Sequence, residues 1–533
     1  MLLPILASGA RESAMNEIVS GTRPDRGLMN QHDLLRDPEM QARADDWRNG
    51  AIVYQILVDR FAPPADRRAK QRLYKAPRKL MPWHSLPHGR PFLETAQVWG
   101  HEIEFWGGDL NGILARIDYL KRLGVEVVYL NPIFQAFTNH KYDAWDYQKV
   151  DPGYGTRDDL ARLSDELHRQ GMRLVLDGVF NHMGSQSPIF QDSLKNPHGQ
   201  WGDFFKRCNG NGRGYIGWLD VPNLPELKLE NPKVRDYLFA KPDSVVQSYL
   251  RREKIDGWRL DVAFDLGFRY LADLTKAAHR VRPDSVVIGE IWNYPEEWHP
   301  AIDGIMNMHG RQILLRMLSG SLSARLAMEM WETLVADAGM AHILKSWLVL
   351  DNHDTPRLPH LLPKEWQQRL ARVLQFTLPG SVCLYYGSEL GMTGGSDPEN
   401  RAPMRWDLEK DGNPMLALHR RLIALRQHEP ALRYGDFRKL HCERLFAFLR
   451  RTNAARETVI VAANPTGRAV KEFIQIRESK IMDVTPLQDQ LSDARFFVFS
   501  GAVDLIVPAH SVMVLKPVTD PLPKGYNRYE RIY

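Results

Sequence analysis

Short apolar runs alternate with amphipathic stretches along most of the chain, and several of the apolar runs end abruptly in charged residues. AIVYQILVDRF, from Ala51, has the texture of a buried strand. FWGGDLNG then leads into ILARIDYLKRLG, where Ile113, Ile117, Leu120 and Leu123 keep helical spacing. Gly124 is placed to end that helix, and VEVVYLNPIF is the next strand. The grammar recurs: Thr156 caps a helix running to Gln170, Gly171 ends it, and MRLVLD follows as a strand. DGWRLDV, SVVIGEIW, the weaker AIDGIMNM, WLVLDNHD and SVCLYYG bring the total to about eight. Strands alternating with helices on this scale predict an α/β fold, a (β/α)8 TIM barrel.

Two breaks in the rhythm divide the chain further. Between His182 and Pro232 lies a Gly-, Asn-, Pro- and aromatic-rich stretch that includes QWGDFFKRCNGNGRGYIGW. It is too long for an ordinary βα loop, and predicts an inserted subdomain over 183–231, after the third strand. Beyond Pro430 the texture becomes β-rich, with RLFAFLRRT, TVIVAANPT and FFVFSGAVDLIVPAHSVMVLKP. These runs predict a C-terminal antiparallel β-sandwich. The expected layout is an arm or loose helical lead-in over 1–48, a barrel over 49–430, the sandwich over 431–518 and a loosely packed tail over 519–533.

The polar ends of the strands carry the candidate chemistry. LVLDGVFNH brings Asp177 and His182, GWRLDVA brings Arg259 and Asp261, VVIGEIW brings Glu290, and SWLVLDNHDT brings His353 and Asp354. In a parallel barrel those ends face the active site. Breaking a glycosidic bond needs a proton for the leaving oxygen and a carboxylate on the opposite face of the sugar. Asp261 follows Arg259 by two residues, so both side chains point to one face of the strand. The arginine then keeps Asp261 ionised, as a nucleophile requires. Glu290, among Val, Ile and Trp, is set in surroundings apolar enough to raise a carboxyl pKa, as a general acid requires. A single aspartate at a strand end is most often a helix cap; three carboxylates with an arginine on four strand ends are a set.

Composition narrows the rest. The chain has 533 residues, 44% hydrophobic and 25% charged, with 70 basic against 65 acidic residues and a net charge of +5. No basic stripe suggests nucleic acid, and no run approaches the ~20 apolar residues of a membrane span. Three cysteines, Cys208, Cys383 and Cys442, make no disulfide framework. MLLPILASGARESAMNE is a poor signal peptide. A cytoplasmic location is expected, with a periplasmic one left open.

DGVFNH, GWRLDVA, GEIW and NHD, in this order, with GGDLNGI and NHKYDAWDY, resemble the motifs of glycoside hydrolase family 13, the α-amylase superfamily. The resemblance covers about residues 50–520. FWGGDLNGI, TNHKYD, SPIFQDSLKN, GEIW and YYGSELGMTGGSDPENR resemble in particular its neopullulanase, cyclomaltodextrinase and maltogenic amylase group. The resemblance implies a retaining α-glucoside hydrolase that cleaves α-1,4 bonds, with α-1,6 bonds left open, in maltooligosaccharides or related short α-glucans. It casts Asp261 as nucleophile, Glu290 as acid/base and Asp354 as the transition-state stabiliser that holds the 2- and 3-hydroxyls. It places His140, His182 and His353 on the sugar at subsite −1, with Tyr142 stacked on it and Asp177 in support beside Arg259. Trp292, Asp397 and Arg401 then shape the donor subsites. No cofactor and no metal site are implied by these residues.

Three departures stand out. The group's N-terminal β-domain has no counterpart before Ala51, which favours a monomer or weak homo-oligomer. After VDRF the chain reads APPADRRAKQR, arginines where calcium would need oxygen ligands. After Asp261 it reads Val262-Ala263-Phe264-Asp265 where the group has Val-Ala-Asn-Glu, at a position that faces the acceptor subsites. Two other readings stay open: a transglycosylase or isomerising α-glucanotransferase of the same superfamily, and a non-catalytic binding or scaffold relative.

Overall fold

The computed structural model describes residues 26–533. Eight parallel strands close into a barrel in sequence order: β1 (Ile52–Ile56), β2 (Val127–Leu130), β3 (Arg173–Gly178), β4 (Gly257–Leu260), β5 (Val286–Ile291), β6 (Gly304–Asn307), β7 (Trp347–Val349) and β8 (Ser381–Tyr385), with β8 pairing back onto β1. Their alternation decides what the barrel holds. Val53, Val127, Tyr129, Val175, Val286, Ile288, Met306, Trp347, Val349 and Cys383 form one buried cluster. Two residues further along the same columns stand Gln55, Asn131, Asp177 and Glu290. Since i and i+2 share a face, each inward column is apolar below and polar at its C-terminal end. Register lines the columns up: Arg259 pairs with Asp177 across β3–β4.

Local signals act as expected. Thr156 caps the helix Arg157–Arg169 in a reciprocal box with Asp159. Gly124 ends the helix Ile117–Leu123 in the left-handed region, at φ 89°. The single helix expected from Ile113 to Leu123 is two, Leu110–Leu114 and Ile117–Leu123, broken around Arg116, whose guanidinium lies over the Trp406 ring. Apolar spacing survives such a break, so periodicity alone could not reveal it.

The lead-in before the barrel is firmer than expected over its described part. Gln31–Asp45 is a helix docked by charge: Arg36 and Arg43 both pair with Asp436, and Lys480 with Asp33. A helix held by ion pairs shows little apolar periodicity. The first seventeen residues, read as a poor signal peptide, and the arm before residue 26 lie outside the described residues.

The C-terminal unit has a six-stranded antiparallel sheet, β9 (Asp436–Lys439), β10 (Phe446–Arg451), β11 (Val459–Asn464), β16 (Ser511–Pro517), β13 (Pro486–Asp489) and β14 (Arg495–Phe497), in that order. A second sheet pairs β12 (Val470–Gln475) with β15 (Ala502–Val507). Their inner faces share a separate apolar core with Leu449, Ile460, Ile474, Leu505 and Leu515. A buried arginine fastens this unit to the barrel: Arg450 donates to the carbonyls of Thr377, Leu432 and Gly435. Thr377 ends a helix, so the cation also meets the negative end of its dipole.

Three long insertions rise from the polar end of the barrel. The first follows β1 and runs to Phe105. The second, over 183–231, carries the helix Pro188–Lys195 and isolated bridges such as Phe205–Leu227 and Gly217–Pro225. The third, after β8, carries Asp397 and Arg401.

Candidate active site

One guanidinium organises the floor. Arg259 is fully buried, and its Nη1 lies 2.8 Å from Asp177 Oδ1 and 3.0 Å from Asp261 Oδ1. Its Nη2 forms a 2.9 Å ion pair with Glu290 Oε2. Asp261 and Glu290, on neighbouring strand ends, thus bracket one side chain. Asp177 is held from behind by the hydroxyls of Tyr129 (2.5 Å) and Tyr142 (3.0 Å).

The backbone after Asp261 is strained. Val262 has φ 40° and ψ 48°, a region that β-branched residues rarely enter. The turn aims the Val262 N–H at Glu290 Oε2, 3.0 Å away. Strain of about 1–3 kcal/mol kept at such a place is a mark of function. Trp292 Nε1 donates to Glu290 Oε1 at 3.0 Å, while 47% of the Trp292 surface stays exposed. The apolar setting expected for Glu290 is therefore corrected. The carboxylate meets a cation and two N–H donors, because its inward column abuts that of Arg259.

The expectation for Asp261 also needs revision. Burial pushes its carboxyl well above the usual carboxylate range; Arg259 opposes this, and Glu290 and Asp177 add to it. Three carboxylates around one guanidinium carry excess negative charge, which the cation offsets only in part.

His353 stands at the centre of a hydrogen-bonded chain. Gln55 Nε2 donates to Asn131 Oδ1 (3.1 Å) and meets His353 Nδ1 at 2.8 Å, which makes Nδ1 the acceptor and leaves the proton on Nε2. Nε2 faces the Tyr142 hydroxyl at 2.5 Å and Asp354 Oδ2 at 3.0 Å. Tyr142 accepts from Asn131 Nδ2 at 2.9 Å and donates to Asp177. The His353 and Tyr142 rings are parallel within 3°, with centroids 5.3 Å apart. Burial holds His353 well below its ordinary pKa and brings His182 to about 3, so both are neutral. His182 Nε2 is buried without a hydrogen-bond partner, and the ring stacks on Trp218 at 5.4 Å.

The remaining expected residues form a second tier. Arg401 Nε donates to the His353 carbonyl (2.9 Å), and its two Nη atoms reach Asp354 Oδ1 (3.4 Å) and Asp397 Oδ2 (3.1 Å). It both braces the loop and faces the site. His140 accepts from the Tyr142 N–H at 3.1 Å, and its other nitrogen lies 3.4 Å from Glu102. The structure therefore brings all twelve expected residues to one face of the barrel. It adds Gln55, Asn131, Tyr129 and Glu102, which the reading of motifs missed. Gln55 had a visible signal, since it is the lone polar residue inside AIVYQIL; Tyr129 and Glu102 had none.

Residues 55–435 match the profile described as Alpha amylase, catalytic domain. The chain belongs to the α-amylase family. It has the fold of that catalytic domain, and its named relatives are glycoside hydrolases. It is 32% identical over 457 residues to neopullulanase 2 of Thermoactinomyces vulgaris, covering 81% of this chain and 72% of that protein. It is 32% identical over 485 residues to a cyclomaltodextrinase of Bacillus sp, covering 86% and 81%. Among solved structures, the ligand-free cyclic alpha-maltosyl-(1→6)-maltose hydrolase of Arthrobacter globiformis superposes with a TM-score of 0.73 at 26% identity, over 89% of this chain and 99% of that one. The family's hydrolysis proceeds without an organic cofactor. No helix among the described residues is long and apolar enough to cross a membrane.

Proposed function

We propose that this α-amylase family member is a retaining hydrolase of α-1,4, and also of α-1,6, glucosidic bonds in maltooligosaccharides or related short α-glucans. The observation that carries the reading is the bracket of Asp261 and Glu290 on Arg259. Retaining enzymes hold their two carboxyls about 5–5.5 Å apart, and two groups ion-paired to one guanidinium suit that separation. Asp261 is the nucleophile: its carboxylate attacks the anomeric carbon as the bond to the leaving oxygen breaks. Glu290 gives that oxygen a proton, then takes one from the water that releases the sugar from Asp261. Positive charge developing on the sugar above Asp261 favours its ionised form, which the ion pair with Arg259 also supports. Asp354, oriented by His353 and Arg401, takes the sugar's 2- and 3-hydroxyls. Neutral His182 offers its unpartnered Nε2 to a further hydroxyl.

Proton NMR of the first product from an α-maltoside tests the reading: the α-anomer is expected, and the β-anomer appearing first overturns the assignment of Asp261.

Transglycosylation is the second reading, favoured by Trp218. This half-buried ring donates from Nε1 to Asp265 Oδ2 at 2.6 Å, and so spans from the inserted subdomain to the helix after Asp261. It offers an aromatic wall to an acceptor sugar. No metal is assigned to the loop after Phe61: Lys70 Nζ lies there, 2.5 Å from Asp109 Oδ2 and 2.8 Å from the Gly153 carbonyl. The relatives include an intracellular maltogenic amylase of Bacillus subtilis, which supports a cytoplasmic location. A monomer or weak homo-oligomer completes the proposal.

A further inference from the structure

The insertion after β1 carries an aromatic ring that the reading above leaves unused. Trp99 is 49% exposed. One exposed ring signals little by itself, but this one is held in place. Its backbone N–H donates to Glu102 Oε2 at 2.7 Å. Phe92, across the short Phe92–Leu93/Val98–Trp99 hairpin, meets the ring edge-on at 5.3 Å. The His101 imidazole lies nearly parallel to it, at 6.2 Å and 18°. The base of the insertion is fixed as well, since buried Asp59 accepts from the N–H groups of Trp106 and Gly107 at 2.9 and 2.8 Å.

The same turn is tied to the site at two points. Glu102 pairs with His140. His101 Nδ1 accepts from the Arg90 N–H at 3.2 Å, which puts the imidazole proton on Nε2, 3.9 Å from Asp397 Oδ2. Burial lowers the pKa of His101, so it meets Asp397 as a neutral neighbour. A continuous path therefore runs outward from the floor: Asp354, Arg401, Asp397, His101, Trp99. Asp397 is a carboxylate with 35% of its side chain exposed, able to accept from sugar hydroxyls. A pyranose with its hydroxyls on such a carboxylate presents a C–H face to its surroundings, and a rigid indole covers that face at little entropic cost.

We propose that Trp99 is a specificity-determining residue: it forms the outer wall of a donor subsite one sugar beyond −1, where it stacks on an α-glucosyl unit whose hydroxyls Asp397 accepts. The donor pocket is then two sugars deep and prefers maltosyl to glucosyl donors. The inference rests on the proposed donor side at Asp354 and Arg401.

The test compares p-nitrophenyl α-glucoside, which fills −1 only, with p-nitrophenyl α-maltoside, which fills both positions. Trp99→Ala lowers the maltoside-to-glucoside ratio of kcat/KM by about three- to tenfold, as expected for loss of one aromatic contact. The loss falls mainly in KM, and Trp99→Phe recovers most of the ratio. An unchanged ratio in Trp99→Ala overturns the inference, as does an equal loss on both substrates, which would mean that the ring only braces the turn. Asp261→Asn in parallel separates the two readings: if it keeps activity on both substrates, the proposed chemistry fails whatever Trp99 does.

Discussion

The floor of the site and its rim are built on opposite terms. On the floor, Arg259, Asp177, Asp261 and Glu290 are buried, charged and paired within about 3 Å, on strands whose register leaves no freedom. On the rim, Trp99 and Trp292 are exposed on the insertions and strand ends above it. A buried charge tolerates no displacement, because its partner is left unpaired in a low dielectric. An exposed ring contributes contact area that a neighbour can partly replace. Floor and rim should therefore respond differently to substitution: the floor by orders of magnitude on every substrate, the rim by a few-fold and according to chain length.

The largest effect is expected from Asp261→Asn and Glu290→Gln. Each should lower kcat by several orders of magnitude with the fold intact, since nucleophile and acid act in the transition state. Activity within roughly tenfold of wild type for either variant would remove the floor's claim to the chemistry.

Gln55→Leu comes next and asks whether the floor extends to residues that touch no substrate. It leaves His353 Nδ1 without its donor. A buried polar atom left unpaired costs about 1–3 kcal/mol, so kcat/KM should fall by one to two orders of magnitude for glucoside and maltoside alike. A loss confined to one chain length would move Gln55 to the rim.

Arg401 lies on the boundary, and Arg401→Ala sharpens it. The wild-type enzyme should show higher kcat/KM on short maltooligosaccharides than on soluble starch. The variant should weaken that preference several-fold through KM while retaining bond cleavage. If starch is cut first in its interior, seen as viscosity lost before small sugars accumulate, the donor end is open and the comparison fails on that side.

The smallest effect concerns pH. With a folded pKa of about 3 against an ordinary 6.5, His182 stays neutral while the unfolded chain protonates. Its contribution to stability is complete above about pH 6.5 and is lost as pH falls toward 3. Between those limits it does not ionise in the folded enzyme, so both limbs of the kcat/KM profile should belong to the carboxylates. His182→Asn should lower the profile without moving either limb. A limb displaced by more than about half a unit would mean that the histidine titrates.

Much of the floor was legible in the sequence because period-2 alternation converts spacing directly into facing. Arg259 and Asp261 had to share a side, and the apolar columns below them had to be inside. The rim was less legible. Trp99, His101 and Trp218 sit in stretches without periodicity, and no local rule says which way an irregular loop folds. The lead-in helix Gln31–Asp45 was underestimated for a similar reason: its partners Asp436 and Lys480 lie some 400 residues away.

The sequence by itself determined the barrel, the C-terminal sheets and the set of strand-end residues, because helix caps, strand alternation and turn residues act over a few positions. Only the tertiary structure decided how those residues meet. It placed three carboxylates on one guanidinium, turned Val262 into a donor for Glu290, set the proton of His353 on Nε2 through Gln55 and Asn131, and linked Trp99 to Asp397. Those outcomes depend on distances between strands and loops that are far apart in the chain, and burial then fixes the charge and tautomer each group carries.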